Sequence, residues 1–227
     1  MLSASAFQQP VARANGELYF SHTSGIRLKN LTPVIVLTNQ QERLKAENAV
    51  QREFNSNSIL LEWAMGLVLS IQVKETAGGL LIESSLNNTS GAPVALERIY
   101  LLQNADITTP NPLTRALVNG VDMNSYSGIV ELTSDVGFNS VVGLTSAKSE
   151  SALVLGFLDV REAYYDFHVG ATAGAAKTIC AYTKRDGIEL LPGSTLELSP
   201  LSVQFGEGLS PLLEAYAQDS GRLMEAR

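Results

Sequence analysis

Few residues in this chain are able to do acid–base work. There are two histidines, His22 and His168. His168 lies in "YYDFHVG", with Asp166 two positions earlier. In an extended segment that spacing turns both side chains to one face. The pair suits proton transfer or a structural cross-strand hydrogen bond, and the structural role is the ordinary one. Asp159, Glu162 and Asp166 are candidates for paired carboxylates of the kind that flank a glycosidic bond. Strand spacing does not show that any two of them face one cleft. Tyr164, Tyr165 and Phe167 form the densest aromatic group. Alternation turns Tyr165 and Phe167 one way and Tyr164 the other, which fits core and cross-strand packing. Trp63 follows "SILLE" and reads as core.

Other chemistries are excluded by what is missing. The chain has no G-x-S-x-G elbow, no P-loop and no G-x-G-x-x-G segment. Two isolated histidines do not form a zinc cluster without carboxylate help, so neither metal nor cofactor is expected. The single cysteine, Cys180, rules out an internal disulfide. In "KTICAYTK" it reads as a buried, inert thiol on a strand. The 16 basic and 23 acidic residues give a formal charge of −7 with no basic patch. That argues against nucleic acid or an anionic membrane as partner. No apolar run approaches the roughly 18 residues of a membrane helix. The opening "MLSASAFQQPVARANG" lacks the regions of a signal peptide. A cytoplasmic location is expected, and the N-x-[ST] triplets at Asn30, Asn87 and Asn88 then read as chance matches.

The elements that must position these residues are strands. In "GLVLSIQVKE", Leu67, Leu69, Ile71 and Val73 alternate with Ser70, Gln72 and Lys74. "TAGG" then turns the chain into "LLIESSLNN", and "TSGAP" leads on to "VALERIYLL", as in an antiparallel meander. The segments Ser134 to Ser146 and Ser151 to Asp159 are expected to pair, as are Ala163 to Gly170 and Lys177 to Lys184. In "STLELSPLSVQF" the apolar parity slips after Pro200, which predicts a bulge or edge crossing there. Residues 40–55 break the pattern and suggest an exposed irregular segment or a short helical turn. At the end, Leu209, Leu212, Leu213, Tyr216 and Ala217 share one face of a helix, with Ser210 as cap and Pro211 in the first turn. The length fits one large all-β domain or two small ones.

Two segments carry a resemblance. "LVNGVDMNSYSG" resembles a loop of glycoside hydrolase family 36, the microbial α-galactosidases, which reads approximately L-x-N-G-W-Q-S-W-S-x-S-G. Leu117, Asn119, Gly120, Ser125, Ser127 and Gly128 match its frame, while Val121 and Asn124 replace its two tryptophans, and Asp122 and Met123 its Gln and Ser. "LLPGSTLELSPLSVQFGEGLSPLLEAYAQ" is similar to the end of that family's first domain, through Pro192, Gly193, Leu196, Leu198, Gly206, Leu212, Leu213, Glu214, Tyr216 and Ala217. The resemblance implies an all-β fold: a large antiparallel supersandwich, galactose-mutarotase-like, with a C-terminal helix. It implies a tail over 1–14, the sandwich over 15–208, and a helix over 209–227 leading toward a catalytic (β/α)8 barrel. The expected role is then non-catalytic: support of the barrel, a pocket rim and an oligomer interface. The loop residues Asn119, Gly120, Val121, Asp122, Asn124 and Tyr126 would lie near a glycoside, although Val121 and Asn124 offer no indole platform. A free-standing sugar-binding module and an aldose-epimerase-like enzyme using His22 and His168 are the alternatives. A missing barrel would leave an apolar docking face, with Leu212, Leu213 and Tyr216 on it, and hence self-association.

Overall fold

The computed structural model describes residues 7–12, 18–38, 43–55, 57–76, 79–118, 128–159 and 163–225. Among them the period-two pattern forms two nine-stranded antiparallel sheets and one helix. Sheet A runs β1 (Phe7–Ala12), β2 (Leu18–His22), β3 (Arg27–Leu31), β10 (Val94–Thr108), β17 (Ala175–Leu190), β16 (Tyr164–Thr172) and β13 (Val136–Asn139). The long β10 pairs with β3 over residues 106–108 and with β4 (Val34–Leu37) over residues 96–100. β4 pairs in turn with β5 (Arg43–Lys45). Sheet B runs β12 (Gly128–Glu131), β11 (Arg115–Val118), β14 (Val141–Thr145), β15 (Ser151–Phe157), β18 (Thr195–Glu207), β9 (Gly79–Asn88), β8 (Leu67–Glu75), β7 (Ser58–Trp63) and β6 (Gln51–Phe54).

The core lies between the sheets. Ile59, Leu61 and Trp63 of β7 and Leu67, Leu69, Ile71 and Val73 of β8 point inward and are almost fully buried. From the facing sheet come Tyr165, Phe167 and Val169, and the Phe157 ring packs at 4.5 Å from Tyr165 and 5.2 Å from Phe167. Each such aliphatic side chain contributes about 1.5–3 kcal/mol relative to exposure. Trp63 is core, as expected, and its indole N–H donates to the Lys45 carbonyl at 3.0 Å.

Local pairing follows the sequence, whereas sheet membership departs from it. β8 and β9 form the expected hairpin, but the expected meander ends there, because β10 belongs to the other sheet. Asn88 makes the corner. It is fully buried, its amide donates to the carbonyls of Ala92 (2.9 Å) and Leu190 (2.8 Å), and its Oδ1 accepts from Ser90 N at 3.0 Å. The segment around Ser134 to Ser146 also divides, into β13 of sheet A and β14 of sheet B. Ser140, at φ 58°, is the switch: its amide donates to Tyr165 O in sheet A, and its carbonyl accepts from Phe157 N in sheet B. A saturated corner of this kind carries no periodic signal. The expected pair β16–β17 is present, and the register of β18 on β9 shifts between Leu198 and Leu201, at the predicted bulge near Pro200. Within residues 40–55 a 3-10 turn (Ala46–Asn48) stands between β5 and β6. Phe7–Ala12, read from sequence as part of a tail, pairs with β2.

The helix α1 (Leu209–Glu225) packs on the outer face of sheet B. It begins at Leu209, so Ser210 lies inside the first turn with Pro211 and not at the cap. Leu209, Leu212, Leu213 and Tyr216 cover Val141, Ala152 and Val154. Ala217, expected on the same face, is exposed. Glycines clear the way: a Cβ at Gly156 would stand 2.3 Å from Tyr216 Cε2, and one at Gly143 2.8 Å from Leu209 Cδ1. Polar bonds fix the register. Tyr216 OH donates to Phe157 O (2.9 Å), Ser220 Oγ to Leu158 O (3.2 Å), and Gln204 Nε2 to Asp219 Oδ2 (2.9 Å). The apolar stripe expected to await a partner is therefore covered by the chain's own sheet, and self-association through it loses its basis.

Candidate functional site

The outer face of sheet A gathers chemically active side chains from three strands. Because Tyr165 and Phe167 point into the core, Tyr164, Asp166 and His168 point out. Antiparallel partners share a face. One row therefore holds Arg98, Lys184 and Tyr164. The next holds Tyr100, Tyr182, Asp166 and Asn139, and a third holds Cys180 and His168.

Within this lattice the groups are tied to one another. Lys184 Nζ is 2.7 Å from Asp166 Oδ2, and Asp166 is 7% exposed. That carboxylate holds the lysine above its ordinary pKa. The Tyr100 and Tyr182 rings lie 5.0 Å apart at 43°, with the Arg98 guanidinium carbon 4.9 Å from the Tyr182 ring centre. Arg98 Nη1 donates to the Tyr100 hydroxyl at 3.0 Å, which raises the arginine further. Burial, with Asp166 second, pushes the Tyr182 phenol up. Burial likewise pushes up the Cys180 thiol, whose Sγ donates to Asn104 Oδ1 at 3.2 Å. Cys180 is thus buried, as expected. Tyr164, by contrast, is 78% exposed.

The sequence-predicted candidates fall in different places. Asn119, Gly120, Val121, Asp122, Asn124 and Tyr126 lie outside the described residues. Their flanks are described: Leu117 pairs with Ile129 and Val118 with Gly128, in a hairpin at the edge of sheet B braced by an Arg115–Glu131 ion pair of 2.6 Å. Asp166 and His168 do share a face, but the Asp166 carboxylate goes to Lys184 across the strand, which is the structural reading. Asp159 follows β15, in sheet B, where its amide donates to Ser199 Oγ at 2.7 Å, so the fold puts it on the other sheet from Asp166. Glu162 is outside the described residues. The two histidines are separated. His22 stacks on Phe205 of sheet B at 5.8 Å, with Ser24 N donating to its Nδ1 at 3.1 Å, while His168 faces outward.

Sequence reasoning missed the lattice partners Arg98, Tyr100, Tyr182 and Lys184, and also a polar groove on the outer face of sheet B. The groove encloses about 370 Å³ beside Glu53, Asn55, Ser70, Gln72, Glu83 and Glu197, with Glu83 paired to Lys74. The only sequence signal for either is the polar half of each alternating strand. Among the described residues no three His, Cys, Asp or Glu side chains are grouped to hold a metal, and no helix is long and apolar enough to cross a membrane.

No protein-family model and no curated protein matches the chain. Solved structures do. An α-N-acetylgalactosaminidase from Bifidobacterium bifidum matches 98% of this chain at TM-score 0.64 and 10% identity. The fold is a β-supersandwich. An α-galactosidase from Lactobacillus brevis matches 96% of this chain at TM-score 0.51 and 10% identity. A putative aldose 1-epimerase from Escherichia coli K12 matches 91% of it at TM-score 0.57 and 12% identity. This chain spans 39% and 31% of the length of the two glycosidase chains, but 98% of the epimerase.

Proposed function

We propose that this chain is the non-catalytic supersandwich of a retaining α-glycosidase of the α-galactosidase type, with the two sheets, β1 included, as the sandwich and the helix after them as the link to a (β/α)8 barrel. Its work is to support the barrel, to contribute the 119–128 loop to the pocket rim and to take part in oligomer contacts. The observation that carries the reading is the disposition of the acid–base groups. Asp166 is neutralised by Lys184, and His22 and His168 lie on opposite sides of sheet A. Hydrolysis or epimerisation needs an acid and a base at one reacting centre. The likeness to two glycosidases, each matched over a part of its length, supports the choice of parent enzyme.

The epimerase match over nearly its whole length makes a free-standing enzyme the second reading. One experiment separates them. Purified residues 1–227 are expected to hydrolyse no p-nitrophenyl α-galactoside or α-N-acetylgalactosaminide, and to leave galactose mutarotation at the buffer rate. Turnover that disappears in a His168→Ala preparation would overturn the accessory role.

A further inference from the structure

We propose that Arg185 marks a binding site for a small carboxylate anion, held by the guanidinium on the core side of sheet A where the sandwich ends. The inference goes beyond the accessory role and does not depend on it.

The guanidinium is buried and unsatisfied. Arg185 is 5% exposed, and its Nε has no hydrogen-bond partner. Among the described residues no ion pair reaches it. The neighbouring cations are placed differently. Lys184 has Asp166, and Arg98 has the Tyr100 hydroxyl and the Tyr182 ring. An arginine does not shed its proton on burial. A buried cation without a counter-charge is strongly unfavourable. A fold that keeps one has room for an anion in its working state.

The register explains why the nearby acids do not serve. Leu96 pairs with Ile188 and Arg98 with Lys184, so Arg185, Asp186 and Gly187 together stand against Glu97 alone. Asp186 and Gly187 are left-handed, at φ 48° and 83°. Thr183 is 2% exposed and sets the parity, which turns Arg185 to the core with it. Asp186 and Glu189 stay exposed, and the field of Glu97 falls on Arg98. β16 begins opposite Lys184, so past that point β17 is paired by β10 alone. The bulge therefore lies where the sheet narrows. Thr38, just after β4, adds a hydroxyl there: a Cβ at Gly187 would stand 3.8 Å from its Oγ1.

Charge and burial select the ligand. A lone guanidinium balances one negative charge. The small exposure admits a compact ion and excludes a nucleic acid or an extended polyanion. The planar fork of N–H groups matches the two oxygens of a carboxylate, a geometry that a halide does not use.

The test is thermal unfolding of the intact chain against sodium formate, with sodium chloride as the matched arm and the ionic strength held constant by the bulky HEPES anion. Formate is expected to raise Tm in a saturable way, by about 3–6 °C at roughly ten times its dissociation constant, and chloride to leave Tm near its starting value. Arg185→Met is expected to abolish the formate response. Without formate it is expected to be no less stable than the parent chain, because an unpaired buried charge is removed. Arg185→Lys keeps the charge but not the fork, and is expected to respond more weakly than the parent. The site is overturned if formate gives no saturable rise, if chloride matches it, or if Arg185→Met retains it. A loss of stability in Arg185→Met without formate would show that the guanidinium already has its counter-charge within the chain, and would overturn the site as well.

Discussion

The outer faces of β15 and β16 meet different fates. β15 reads "SALVLGF" and is buried on both sides, with Leu153, Leu155 and Phe157 in the sandwich and Ala152 and Val154 beneath α1. β16 reads "YYDFHVGAT" and alternates, with Tyr165, Phe167 and Val169 inside and Tyr164 and His168 in water. A strand with apolar residues of both parities announces a cover. A strand whose outward positions hold tyrosine, aspartate and histidine announces a surface that stays open. On the covered side Gly143 and Gly156 leave the space that the overlying helix takes, where a Cβ would meet Leu209 and Tyr216.

Matched substitutions on the two faces would break or sharpen this contrast. The largest effect is expected for Leu212→Ala, which removes a buried side chain between helix and sheet and costs about 2–4 kcal/mol by urea denaturation. Its counterpart Tyr164→Ala, on the open face, is expected to stay within about 0.5 kcal/mol. Equal losses would mean that the helix is not an integral layer. A smaller effect is expected from adding one methyl group. Gly156→Ala drives a Cβ into the Tyr216 ring and should cost about 1–3 kcal/mol. Gly137→Ala, with Phe167 O the nearest atom at 3.9 Å, should cost less than about 0.5 kcal/mol. A tolerated alanine at 156 would show that the helix floats on the sheet.

Alkaline pH gives the smallest difference and separates the faces by mechanism. Burial raises the Tyr216 phenol under the helix, and the bond to Asp166 raises Lys184 on the open face. In both, the folded value lies above the unfolded one. The contribution is then complete below the unfolded value, about 10 for tyrosine and about 10.4 for lysine, and is lost as pH rises through the folded value. Stability should accordingly fall from about pH 10 upward. Tyr216→Phe should soften that fall at any ionic strength. Lys184→Met should soften it at low salt only, since its partly exposed ion pair is screened. A salt-independent lysine effect would contradict an open face.

Several features of the outcome were legible one strand at a time. The inward set of β8, the burial of Trp63 and Cys180, the split of Tyr165 and Phe167 from Tyr164, and the slip at Pro200 all follow from side-chain parity along a single strand. The lattice was not legible in the same way. Arg98 and Tyr100 are far from Tyr182 and Lys184 in the chain, and only the register of β10 on β17 brings them together. Asn88 looked like a chance glycan triplet and is a buried corner.

By itself, then, the amino-acid order determined the strands with a clear period of two, which side chains they hide, and that the last segment is an amphipathic helix, because backbone geometry imposes its period residue by residue; the short strands β1, β5 and β6 carried no such signal. Only the tertiary structure decided which sheet β10 and β13 join, that Leu212 and Tyr216 turn back onto β15, and that an arginine, a lysine, an aspartate and three tyrosines share one face. Those outcomes depend on which distant backbones pair and in what register. Such pairing is set by the packing of whole sheets against each other, and no local period records it.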